Sequence, residues 1–175
     1  MEYHDTEWGV PVFDDQKHFE FLVLESAQAG LSWITILKKR ENYRKAYDNF
    51  DPQKVARYKE AKKAKLMADA GIVRNKLKIE ASISNALKFL EIQKEYGSFS
   101  NYIWSFTNGK PVIGKWKKID EIPAKTELSD RISSDMKRRG FKFLGSVIMY
   151  SHLQATGIVN DHITNCFRYG ELKKL

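Results

Sequence analysis

The sequence has little sulfur, with one cysteine, Cys166, in 175 residues. That excludes an internal disulfide and agrees with a reducing compartment. No apolar run is long enough to cross a membrane, and the first residues have neither the basic nor the apolar region of a secretory signal. A cytoplasmic location without membrane contact is expected. Strand patterns are also missing: only Lys110–Trp116 alternates, and it is too short to make a sheet. There is no internal repeat and no low-complexity tract. What remains is a chain with 42% hydrophobic and 30% charged residues, read as a single domain over 1–175.

The net charge of +8 is unevenly spread. The first 35 residues carry Glu2, Asp5, Glu7, Asp14, Asp15, Glu20 and Glu25 against one basic residue, Lys17, so the rest is strongly basic. A basic body attracts polyanions, because each neutralised phosphate releases counterions, although charge of this kind also serves solubility alone.

Helical periodicity runs throughout. Residues 16–28 read as a helix interrupted by Gly30, and Ser32 caps the next, with Trp33, Ile36, Leu37 and Tyr47 spaced for one face. Asp51-Pro52 starts another helix, and a further one spans about 60–70 and stops at Gly71. Ile79, Ile83, Ala86, Leu87 and Leu90 form an apolar stripe. After a long loop over 107–124, Thr126 caps a helix ending at Arg138-Arg139-Gly140, and a last helix covers 144–156. The expected fold class is all-α.

Glu25 is the most informative carboxylate. Phe21 and Leu22 lie one turn before it, so it sits on the apolar side, where a charge is costly unless paired or used. It also reads as a boundary residue paired with a lysine, or as a cap for the next helix. Glu20, beside Gln16 and Lys17, reads as an edge residue. The turn Gln28-Ala29-Gly30-Leu31-Ser32-Trp33 follows, and its glycine lets backbone approach a ligand. Trp33, Tyr3 and Trp8 offer flat faces suited to a flipped, cationic base, though each alone also fits a plain core position.

Between two helices, Gly71, Val73, Arg74 and Lys76 form a turn whose amides can hold phosphate, reinforced by Lys78; an ordinary solvated turn reads the same, and Val73 stands where a second glycine is expected. Lys38-Lys39-Arg40 and Lys137-Arg138-Arg139 are either DNA contacts or solvated faces. His162 and Cys166, four apart, can share a helical face as zinc ligands with His4 as a third, or the spacing is coincidence. Nothing in their spacing recommends His18 or His152.

The segments EYHDTEWGVP (2–11), LESAQAGLSWITILKKRENYRKAYDNFDPQKVA (24–56), DAGIVRNKLKIEASISNA (69–86), IWSFTNGKP (103–111) and KRRGFKFLGSVIMYSHLQATGIVNDH (137–162) closely resemble the DNA-3-methyladenine glycosylase I family, collinearly over nearly the whole chain. The resemblance implies a helix-hairpin-helix glycosylase fold, with the motif near 60–90 and a small terminal subdomain, and monofunctional excision of 3-methyladenine from double-stranded DNA containing alkylated purines by a monomer. It implies that Glu25 recognises the base edge, that Tyr3 and Trp33 sandwich or line the base with Trp8 nearby, and that Gly30 and Leu31 invade the duplex. Gly71, Val73, Arg74 and Lys76 match the phosphate-binding hairpin. The usual catalytic aspartate of the wider superfamily is absent, and Asp161 reads as structural. His4, His162 and Cys166 match three of four ligands to a structural zinc. The fourth, in the family, lies in an N-terminal segment of about a dozen residues that has no counterpart here. Without that segment and its ligand, the chain is alternatively a DNA-binding module that has lost catalysis; a third reading is an unrelated helical RNA- or protein-binding domain.

Overall fold

The computed structural model describes residues 2–174. Among them are the α-helices α1 (Glu2–Thr6), α2 (Asp15–Gln28), α3 (Trp33–Ala46), α4 (Pro52–Val55), α5 (Glu60–Ala68), α6 (Lys76–Tyr96), α7 (Phe99–Ser105), α8 (Glu127–Arg138), α9 (Ser146–Ala155) and α10 (Phe167–Leu172). The fold is all-α, as the periodicity implies. Helix starts follow local chemistry: the side chains of Asp14, Ser32, Asp51, Asn75, Ser98 and Thr126 each accept from a backbone amide two or three residues on.

Helix α2 is the axis of the molecule. Every residue from His18 to Ala27 is buried, because α3, α6, α7 and α9 pack around it. This corrects the reading of Glu20 as an edge residue: on a helix covered on all sides, no face is left to be an edge. On α6 the buried stripe runs through Ile79, Ile83, Ala86, Phe89 and Ile92. Leu87, expected in it, is 49% exposed, since the steps of three beyond Ile83 rotate the stripe away from position 87.

Strand structure is slight but real. Val112–Ile113 (β1) pairs in parallel with Val159–Asn160 (β2), so the alternating Lys110–Trp116 segment does form a two-residue ladder. Next to β2, Gly157 has φ +69° and meets the backbone of Val10 and Pro11 so closely that a Cβ would lie 2.4 Å from Pro11 N. This close approach, with the Val12 amide donating to the Thr156 carbonyl at 3.0 Å, seats the N-terminal segment against the end of α9. Among the described residues no helix is long and apolar enough to cross a membrane.

Candidate active site

The floor of the site is the second half of α2, which carries Glu25. Its walls come from α1 (Tyr3), the segment after it (Trp8), the first residue of α3 (Trp33) and α9 (Ser151, Gln154, Ala155). Together with Gln28 these residues enclose about 150 Å³, room for a single aromatic ring system. The rings of Tyr3 and Trp33 have centroids 5.9 Å apart and planes inclined by 57°. Residues brought together by the structure are thus Tyr3, Trp8, Glu25 and Trp33, the sequence candidates for this function.

A larger hollow of about 600 Å³ lies between β1 and α8, lined by Trp116, Tyr150 and Asp161 among others. Its one acid is fully engaged: Asp161 accepts from Trp116 Nε1 at 2.7 Å, from Gln154 Nε2 at 2.9 Å and from the Tyr150 hydroxyl. Asp161 thus sits in a network of three side-chain hydrogen bonds.

Glu25 is 2% exposed. Its Oε2 lies 2.9 Å from His152 Nδ1, while Oε1 has no partner among the described residues. Burial pushes its carboxyl well above the usual range. Behind it, His152 Nε2 lies 3.1 Å from His18 Nδ1, and His18 Nε2 lies 3.0 Å from the Val12 carbonyl. Burial pushes both imidazoles down to about 3. Sequence reasoning missed both histidines. They are 134 residues apart, and the one local signal was a histidine beside a run of apolar residues in each of two helices.

The Tyr3 carbonyl accepts from the Glu7 amide at 3.0 Å and the Trp8 amide at 2.9 Å, and the Glu7 side chain is anchored by charge. Arg40 donates to both oxygens of Glu7 at 2.7 Å and, through Nε, to Glu20 at 2.7 Å. Lys17 bridges the same two acids at 2.7 and 3.2 Å, and Arg44 reaches Glu20 at 3.0 Å. Burial works against the Glu7 charge, yet Arg40 and Lys17 hold its carboxyl down to about 2. Burial, and then the neighbouring Glu25, push the Tyr3 phenol up. Arg40 is therefore an internal brace and not a DNA contact.

In the other charge run Arg139 binds Glu95 and Asp135, and Arg138 pairs with Asp135 at the surface. Lys39 donates to the Ala70 carbonyl at 3.1 Å, while Lys38 and Lys137 are exposed. At the turn after α2, Gly30 has φ +81° with open space around it, and Leu31 is 41% exposed. Lys78 points into this turn, donating to the carbonyls of Ala27 at 3.0 Å and Ala29 at 2.8 Å. It is a brace for the turn rather than a phosphate ligand. In the turn between α5 and α6, the Gly71 amide donates to Asp69 Oδ1 and the Val73 amide to the Tyr43 hydroxyl. The amides left without an acceptor among the described residues of this turn are those of Ala70, Arg74, Lys76 and Leu77, and the Arg74 and Lys76 side chains are exposed.

His4, His162 and Cys166 also converge, with one ligand atom from each lying within 4.8 Å of the others. Cys166 Sγ is 3.6 Å from His162 Nδ1 and 3.9 Å from His4 Nε2. His162 Nε2 donates to the Trp8 carbonyl at 3.0 Å, and His4 Nδ1 to Asp5 at 2.8 Å. Each ring therefore keeps its bare nitrogen for the cluster, the orientation that metal-binding histidines require. The residues come together through a turn before α10, with the Cys166 amide on the Ile163 carbonyl, and not on one helical face. Both imidazoles pack against Trp8, at 4.5 and 6.0 Å between centroids, so this cluster backs the cavity wall.

A helical fold with one aromatic-walled cavity around a half-partnered buried carboxyl is that of an all-α glycosylase. The chain belongs to the methyladenine glycosylase family, whose profile matches residues 1–169. It is 49% identical to DNA-3-methyladenine glycosylase 1 of Escherichia coli (strain K12) over 169 residues, covering 97% of this chain and 90% of that one. With the DNA-3-methyladenine glycosylase of Haemophilus influenzae it shares 45% identity over 166 residues, covering 95% and 90%. Among solved structures, 3-methyladenine DNA glycosylase I from Staphylococcus aureus, studied for recognition of 3-methyladenine, superposes with a TM-score of 0.92 at 40% identity, covering 95% of this chain and 88% of that one.

Proposed function

We propose that this protein excises 3-methyladenine from alkylated double-stranded DNA by hydrolysing the N-glycosidic bond, without cutting the strand. The observation that carries this reading is Glu25: a buried carboxyl with an unpartnered oxygen, on the floor of a ring-sized cavity that Tyr3, Trp8 and Trp33 help to wall. Membership of the family and the substrates in its relatives' names support it.

The chemistry follows from the substrate. Alkylation at N3 gives adenine a positive charge, so when the C1′–N9 bond breaks the base departs neutral and needs no acid. Water then adds to C1′. The protein's task is to unstack the nucleotide, at a cost of a few kcal/mol that damage reduces, and to hold the base. Tyr3 and Trp33 stack on a cationic ring and gain cation–π attraction, while Glu25 Oε1 accepts from its exocyclic amine. Leu31, on the Gly30 turn, fills the gap left in the duplex. The free amides of Arg74, Lys76 and Leu77, with the Arg74 and Lys76 side chains, hold backbone phosphate, and Gly71 and Val73 shape that turn. Among the described residues no lysine lines the cavity, so no Schiff base forms and the strand stays intact.

The donor set of His4, His162 and Cys166 fits zinc, which takes nitrogen and thiolate ligands in a tetrahedron. Bound there it would clamp the first and last helices behind Trp8, a structural role. The enzyme works as a cytoplasmic monomer. The test is incubation with methylated duplex: 3-methyladenine appears in solution and the strand remains uncut, whereas duplex binding without base release contradicts the reading.

A further inference from the structure

This inference rests on the reading of Glu25 as the group that meets the flipped base. The Val12 carbonyl can only accept, so His18 Nε2, 3.0 Å away, carries a hydrogen. A neutral His18 then has a bare Nδ1, and the hydrogen in the 3.1 Å contact belongs to His152 Nε2. A neutral His152 in turn has a bare Nδ1, so its 2.9 Å contact with Glu25 is made by a carboxyl hydrogen on Oε2. Hydrogen-bond direction thus propagates from a backbone carbonyl to the cavity. Two other fillings keep all three bonds, and in each Glu25 is a carboxylate with one imidazole, His152 or His18, doubly protonated.

We propose that Glu25, His152 and His18 form a proton relay, which keeps Glu25 a neutral acid in the empty cavity and converts it to a carboxylate when a cationic base enters. In the transfer the Glu25 proton passes to His152 Nδ1, and the Nε2 hydrogen of His152 passes to His18 Nδ1. One O–H and one N–H bond break and two N–H bonds form, leaving the positive charge on His18. The far end suits that charge, because Asp14 and Asp15 act on His18 from the start of α2. Asp15 is itself fixed there by the amides of Phe99 and Ser100 at 2.8 and 2.9 Å. The titratable group facing the other end is Tyr3, with Glu7 and Arg40 beyond it. Around His152 the neighbouring rings are those of Phe21 and Phe99, which carry no charge. In the empty protein, burial favours the filling without ions, raising the Glu25 carboxyl and lowering both imidazoles.

The consequence is selection by charge. A neutral purine of the same outline finds a neutral acceptor at Oε1, whereas an alkylated, cationic purine finds a full carboxylate with its counter-charge moved two side chains away. His152 and His18 are positioning residues in this account; neither touches the base.

Nitrogen-15 spectra of the histidines in the whole protein test it without relying on turnover. In the free protein at pH 7, His18 and His152 are both expected as neutral rings protonated on Nε2. Saturation with 3,9-dimethyladenine, a fixed cation, should make His18 doubly protonated, and 9-methyladenine, which is neutral, should not. His18→Phe should lower the preference for the cation over the neutral ligand by about tenfold, the scale of one charge-assisted hydrogen bond. His152 protonated on Nδ1 in the free protein, or His18 staying neutral with the cation bound, overturns the relay while leaving the base pocket standing. Failure of the cation to bind overturns the pocket and the relay together.

Discussion

The ammonium of Lys78, on the first turn of α6, donates to the main-chain carbonyl of Ala29 at 2.8 Å, 49 residues earlier in the chain. With its second bond to Ala27, it places a cation over the open carbonyl end of α2 and fixes the angle at which the Gly30–Leu31 turn leaves the molecule. The start of α6 and the turn after α2 are thereby tied directly to each other.

Replacing Lys78 with Met should release the turn while keeping the apolar stem. Excision of 3-methyladenine should fall by about a hundredfold, the loss expected for two hydrogen bonds to a charged donor, while affinity for undamaged duplex, measured by fluorescence anisotropy, changes little. An equal loss in both would assign Lys78 to phosphate binding instead.

Leu31→Ala separates folding from function. An exposed side chain contributes within about 0.5 kcal/mol to stability, so the thermal midpoint should not move. Base release from duplex should slow, and release from a single strand, where no gap needs filling, should hardly change.

Stability should peak near neutral pH. Each buried imidazole has an ordinary value of 6.5 and a folded value of about 3, so between those limits the unfolded chain binds more protons and stability falls as pH drops below 6.5. Glu25 has the opposite sign. Raised above its ordinary 4.5, it contributes fully below that pH and loses its contribution as pH rises. Glu25→Gln, whose amide can donate to His152 Nδ1 as the carboxyl does, should therefore remove the alkaline fall in thermal midpoint and leave the acid fall intact.

Metal content tests the terminal cluster. The purified protein should carry one zinc, and Cys166→Ala should lose it, with a lower thermal midpoint and a changed environment at Trp8, seen in tryptophan fluorescence. A full complement of zinc in that variant would place the metal elsewhere.

Much of this was legible in the chain because it is local. Caps such as Ser32, Asp51 and Thr126 start their helices where the side chains say, and the turn chemistry at Gly30 and Gly71 ends or joins them. What was not legible depends on enclosure. Glu20 and Arg40 look like surface charges until α2 is seen to be covered on every side, which turns them into a buried ion pair. His18 and His152 acquire meaning only when α9 crosses α2. Phe89 and Leu87, two residues apart, were separated by the rotation of the stripe along α6: Phe89→Ala should cost about 3–5 kcal/mol, and Leu87→Ala almost nothing. Short helices α1, α7 and α10 have too few turns to show a period.

The proposed role of the unpartnered Glu25 oxygen is to bind the alkylated base. Its most direct measurement is the single-turnover rate of 3-methyladenine release from methylated duplex by the wild-type protein and by Glu25→Gln, beside their affinities for undamaged DNA. A drop of about a hundredfold in release, the scale for removing one preorganised polar contact, with unchanged duplex affinity, is the predicted result. Equal release by both proteins would contradict it.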